Sequence, residues 1–169
     1  AQDGATITYV VTVTDTNDES PVFTSSDTIN VAEGATAVVT LTSTDGDAAD
    51  SGGPTYAIDT NDNNLFSING AVVTLTNAAD FETPGCGSSS NTCTIVVSAT
   101  DLNSQVTQQT ITVTITDVND QTPTYTAGDT TPSVAEGTTA VDTAVAITDT
   151  DTGDANVCTL AGSDAALFT

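Results

Sequence analysis

The chain has 169 residues and a net charge of −23, from 23 Asp and Glu with no Lys, Arg or His. Nothing in it neutralises phosphate, which excludes nucleic acid and anionic membrane as partners, and no side-chain salt bridge can form within it. The usual bases that activate Ser or Cys are also missing, so an enzyme is not expected.

Strong acidity often accompanies disorder, but a hydrophobic fraction of 37% is that of a globular protein. The apolar residues are mainly Val, Ile, Ala and Leu among many Thr, a composition that favours strands. Ile7, Tyr9, Val11 and Val13 alternate with threonines, the period-two pattern of a half-buried strand. Thr28–Ala32 is the next predicted strand, ending on Glu33, and Ala37–Thr44 runs into Asp45-Gly-Asp47. Thr55–Ile58 is followed by Asp59-Thr-Asn-Asp-Asn-Asn64. That segment lacks the sixth-position Gly and the flanking helices of an EF-hand, and reads as a surface loop. Leu65–Asn69 and Ala71–Leu75 are strands, after which comes Asp80-Phe-Glu82.

Cys86 and Cys93 enclose Gly-Ser-Ser-Ser-Asn-Thr, a polar loop that a local disulfide can close with a gain of about 2.5 kcal/mol from loop entropy; two separate thiols are the alternative. Thr94–Thr100 leads to Asp101. Ile111, Val113 and Ile115 alternate with Thr110, Thr112 and Thr114 before Asp117-Val-Asn-Asp120. No apolar run reaches membrane-spanning length and no signal peptide is visible, so mature material from an oxidising, extracellular setting is expected.

The chain repeats itself. Asp15-Thr-Asn-Asp-Glu-Ser-Pro-Val-Phe23 returns as Asp117-Val-Asn-Asp-Gln-Thr-Pro-Thr-Tyr125, 102 residues on. Val31-Ala-Glu-Gly34 returns as Val134-Ala-Glu-Gly137, and Leu65-Phe66-Ser67 as Leu167-Phe168-Thr169. The expected division is the end of one unit (1–18), a complete unit (19–120) and the beginning of a third (121–169), a piece of a longer array. Seven short alternating strands per unit predict an all-β, immunoglobulin-like Greek-key sandwich. The same alignment places Cys158 at the position of Tyr56, inside a strand, as a buried thiol, with a disulfide to a partner outside these residues as the alternative.

The acids cluster at strand ends rather than scattering. Two carboxylates about 4 Å apart repel by ~1 kcal/mol in water and ~4 kcal/mol at a protein surface. With no cation in the chain, a metal ion is the most economical way to hold several together; a solvated acidic surface, dispersed or screened by salt, is the alternative. Ca2+ takes six to eight hard oxygen ligands of this kind.

These motifs in this order resemble the cadherin repeat. The boundary signature Asp-x-Asn-Asp-x-x-Pro-x-aromatic occurs twice, at residues 15–23 and 117–125. It is joined by Glu33, by Asp45 and Asp47, by Asp80 and Glu82, and by Ala99-Thr-Asp101. The resemblance implies calcium at the joints between units. At the second joint the ligands would be Glu33, Asp80, Glu82, Asp117, Asn119, Asp120, Asp149, Asp151 and the Asn156 carbonyl. At the first they would be Asp15, Asn17, Asp18, Asp45, Asp47 and Asp101, and Asp3 would face a still earlier joint. Glu19 and Gln121 stand where the family often has Asn, and Phe81 where it often has Arg. The Trp used in strand-swapped adhesion is absent, as is every Trp. The expected role is a calcium-stiffened structural rod, in a filament or surface stalk, that contacts neighbouring repeats and identical chains. The alternatives are an adhesin whose repeats extend a separate binding domain and a carbohydrate-binding appendage.

Overall fold

In the computed structural model the described residues are 4–47, 52–127, 131–139, 146–153, 155, 157–159, 161–163 and 165. Nine strands lie between residues 22 and 116: β1 (Val22–Phe23), β2 (Thr28–Ala32), β3 (Ala37–Thr40), β4 (Ser43–Thr44), β5 (Thr55–Asn61), β6 (Phe66–Asn69), β7 (Val72–Leu75), β8 (Thr92–Thr100) and β9 (Val106–Thr116). Two more, β10 (Thr124–Ala127) and β11 (Ala146–Thr148), pair antiparallel beyond them.

A four-stranded sheet in the order β2-β9-β8-β5 faces a three-stranded sheet β3-β7-β6, and β1 pairs with β4. The alternation in the sequence decides which residues meet between the sheets. Ile111, Val113 and Ile115 of β9 point inward with Cys93, Ile95, Val97 and Ala99 of β8, while the intervening residues, mostly threonines, face outward. Val73, Leu75 and Phe66 close the core from the other sheet, with Leu41 and Val31 at its edges. Each fully buried aliphatic side chain contributes about 1.5–3 kcal/mol. Gly70 supplies the positive φ of 60° at the tight turn from β6 to β7.

One pairing is parallel. β2 runs alongside β9 from Thr28↔Thr112 to Ala32↔Thr116, and this brings the two strand ends that carry Glu33 and Asp117 to the same pole of the sandwich. Cys86 and Cys93 form a buried disulfide with Cα atoms 5.0 Å apart, closing the loop that leads into β8.

Three expectations are corrected. The alternating residues Ile7 to Val13 form no strand, and Ile7, Tyr9, Val11 and Val13 are exposed. The similar alternating residues Ile111, Val113 and Ile115 lie in β9, which hydrogen-bonds to β2 and β8, whereas residues 7–13 have no ladder partner among the described residues. Cys158 is likewise exposed and outside any strand. Tyr56, the residue aligned with it, lies in β5, which among the described residues pairs with β8, whereas Cys158 has no such ladder there. Finally, Asp59–Asn64 is not one surface loop. It completes β5 and forms a 3-10 turn, Asp62–Asn64, fixed by Asn61, whose side chain exchanges two hydrogen bonds with the Phe66 backbone at 2.7 and 3.0 Å.

Candidate metal centre

The centre is built around Glu33, just past β2. Its buried carboxylate accepts the Phe81 N–H at Oε2 (2.8 Å) and the Val118 N–H at Oε1 (2.7 Å). One acid thereby ties together two remote stretches of chain, and the residues beside its two donors are Glu82 and Asp117. Carboxylate oxygens of Glu33, Glu82 and Asp117 all lie within 4.8 Å of one another. Glu82 belongs to a second such group as well, with Asp120 and Asp151.

Asp151 reaches this point from the loop after β11. Its Oδ2 accepts the Gln121 N–H at 2.9 Å, and its own N–H donates to Asp149 Oδ1 at 3.1 Å. Asp117 Oδ2 accepts both the backbone N–H and the hydroxyl of Thr152, a residue that sequence reasoning passed over. The signal was present in Asp149-Thr-Asp-Thr-Gly153, where the turn exposes the N–H that follows Asp151.

Hydrogen bonding leaves much of this cluster unsatisfied. Both Glu82 oxygens, Asp117 Oδ1, Asp149 Oδ2 and Asp151 Oδ1 are buried without a hydrogen-bond partner. Buried carboxylates normally have a cation or several N–H groups facing them, and this sequence has no cationic side chain to offer. Burial raises the Glu82 pKa above the usual carboxylate range, and repulsion from Glu33, Asp117 and Asp151 pushes it the same way against a lowering backbone hydrogen bond. Asp117 is held below its usual value, chiefly by the hydrogen bond from the Thr152 side chain. Both triads offer oxygen alone, the donor set of a hard divalent cation, and the unsatisfied oxygens fit such an ion.

These shifts set a pH dependence for the metal-free chain. Glu82, raised in the fold, contributes stability at low pH that is lost as pH rises through its folded pKa. Asp117, lowered, contributes stability above the unfolded value that is lost only in stronger acid. In chelator, the melting temperature is therefore expected to be higher at about pH 5 than at about pH 7. A lower melting temperature at the acidic end would contradict this.

Elsewhere the remaining candidates separate. Asp45, Asp47, Asn17 and Asp101 are held at the opposite pole by local hydrogen bonds, and their carboxylates form no such triad among the described residues. The Glu19 N–H donates to Asp47 Oδ2 at 2.8 Å and the Asp47 N–H to Asp45 Oδ1 at 3.1 Å, the same two bonds that Gln121, Asp151 and Asp149 make. Asp101 Oδ1 accepts the Gln105 N–H at 2.7 Å, and Asn103 and Gln105 hold Asn17. Asp45 Oδ2 and Asp101 Oδ2 are buried without a hydrogen-bond partner. Asp15 and Asp18 are exposed at this pole. Asp80 is exposed, belongs to neither triad, and accepts the Thr83 N–H at 2.8 Å. Asn119 is exposed between Asp117 and Asp120, and Asp3 and Asn156 lie outside the described residues.

A cadherin-domain family model matches residues 27–116, more than half of the chain, and the chain belongs to the cadherin family. Its structure is similar to PcdhgB3 EC1-4 (29% identity, TM-score 0.58, covering 83% of this chain and 35% of that one). It is also similar to the protocadherin gammaB7 EC3-6 cis-dimer structure (26% identity, TM-score 0.61, 83% and 38%). The likeness to human CDH23 EC21-23 (22% identity, TM-score 0.59, 83% and 47%) is one of fold. The chain thus spans less than half the length of these relatives. No curated protein sequence matches it. Domains of this family are extracellular, typically bind calcium, and belong to adhesion proteins rather than enzymes. Among the described residues no helix is long and apolar enough to cross a membrane.

Proposed function

We propose that this chain is a segment of tandem repeats stiffened by calcium, in an extracellular filament or surface stalk. The units are 1–18, 19–120 and 121–169. The observation that carries the reading is Glu82, whose two buried oxygens lack hydrogen-bond partners while it is shared by acids on both sides of the 117–120 linker. Glu33, Glu82, Asp117, Asp120, Asp149 and Asp151 hold the ions at the second joint, and the cadherin resemblance adds Asp80, Asn119 and Asn156 to that set. Asp15, Asn17, Asp18, Asp45, Asp47 and Asp101 supply half of the first joint. Calcium removes the repulsion among these acids and joins the two sides of the linker, so a hinge becomes a strut. The partners are the neighbouring repeats and identical chains lying side by side. A cell-adhesion role is the second reading, favoured by membership of a family of adhesion proteins.

The native material should appear as straight rods by electron microscopy in calcium and as kinked, shorter profiles after chelation. Rods of unchanged stiffness without calcium would sink the mechanism. Long uniform fibres favour the filament, and short stalks that end in a separate domain favour adhesion.

A further inference from the structure

We infer that Asn91, held in place by the Cys86–Cys93 disulfide, is a positioning residue for the metal centre, an inference that rests on reading that centre as a calcium site. The Asp80–Glu82 segment carries the carboxylate shared by both triads, yet packing beside it is incomplete. It borders a cavity of about 110 Å3 lined by Leu65, Leu75, Asp80, Thr83, Cys86 and Cys93 among others. Phe81 packs against the core from its rim, and hydrogen bonds add to that placement, because the peptide groups on either side of its Cα are both gripped. The Phe81 N–H donates to Glu33 Oε2 at 2.8 Å, and its carbonyl, in the peptide plane that leads into Glu82, accepts from Asn91 Nδ2 at 2.9 Å.

Asn91 is itself anchored from two directions. Its carbonyl accepts the Ile115 N–H of β9 at 2.8 Å, two residues before Asp117. It also sits inside the disulfide-closed loop, between the Cys86–Ser90 bridge and Cys93. Its Oδ1 is buried without a hydrogen-bond partner, so the amide meets its surroundings through the donor that faces Phe81. One polar side chain thus links β9, the disulfide loop and the Glu82 segment, and fixes the separation of Glu82 from Glu33 and Asp117. A carboxylate in its place would set acceptor against acceptor, while removal of the disulfide would leave the amide in a slack loop.

The test compares the 169-residue chain with Asn91→Ala, Asn91→Asp and the paired change Cys86→Ala/Cys93→Ala, with Ser88→Gly as a control at a loop position whose φ is +61°. Calcium affinity is read by isothermal titration on protein verified as folded by circular dichroism, and exchange of the Phe81 amide is followed in metal-free protein. Loss of an outer partner of a metal ligand typically weakens binding 10–100-fold. Each of the three variants is expected to bind calcium at the Glu82 centre roughly 10-fold more weakly. Each should also exchange the Phe81 amide faster, while the Ser88 control and the ions at Asp45 and Asp101 are unaffected. Variants with wild-type affinity and unchanged Phe81 exchange would overturn the positioning role and leave the calcium reading standing. A wild-type chain that binds no calcium would overturn both.

Discussion

Removal of calcium is expected to lower the melting temperature of this chain by roughly 5–10 °C. A ligand that binds only the folded state at about 100 times its dissociation constant stabilises by about 2.7 kcal/mol. In a chain of this size each kcal/mol moves the midpoint by about 2–4 °C. Calcium should act with unusual selectivity here because the carboxylates it meets have no competing cation within the chain. Magnesium at the same concentration should recover little of the loss, since it demands near-octahedral geometry and gives up water reluctantly. Differential scanning calorimetry in calcium, in magnesium and in chelator measures all three arms. Identical midpoints in calcium and chelator would refute the calcium site.

Replacing Glu82 by Gln should move the two states of the protein in opposite directions. In calcium the variant loses the one carboxylate common to both triads, and affinity at that centre is expected to fall on the order of 100-fold. In chelator the same change removes a charge that burial and three neighbouring acids disfavour, so the metal-free variant should melt above the metal-free parent. Simple damage to packing would lower both midpoints. A variant less stable than its parent under both conditions would mean that the cluster is held by something other than a bound cation.

Much of the fold could be read from alternation, because in a thin aliphatic sandwich the inward residue of every strand must be apolar and the outward one need only favour a pleated backbone. Thr28–Ala32 is a strand at the predicted bounds, and β6, β7, β8 and β9 lie within a few residues of theirs. Alternation fails at Ile7–Val13 for a physical reason. A strand exists only with a neighbour to accept its hydrogen bonds, and period says nothing about whether that neighbour is present. The site was legible as a set of acids in order, but sequence does not reveal which oxygens converge. Glu33, Glu82, Asp117, Asp120 and Asp151 do; Asp80, one residue from Phe81 in the same motif, belongs to neither triad and accepts the Thr83 N–H. Asn91 was invisible because the one amide in a Ser-rich loop has no signature until its distance to the Phe81 carbonyl is known.

The parallel contact of β2 with β9 has a mechanical meaning. In the tandem array proposed above, tension would enter near the start of β2 and leave past the end of β9, at opposite ends of two neighbouring strands. Pulling therefore slides one strand along the other. The hydrogen bonds between Thr28 and Ala32 on one side and Thr112 and Thr116 on the other share the load together instead of parting one at a time, so this strand pair is the shear clasp of the unit.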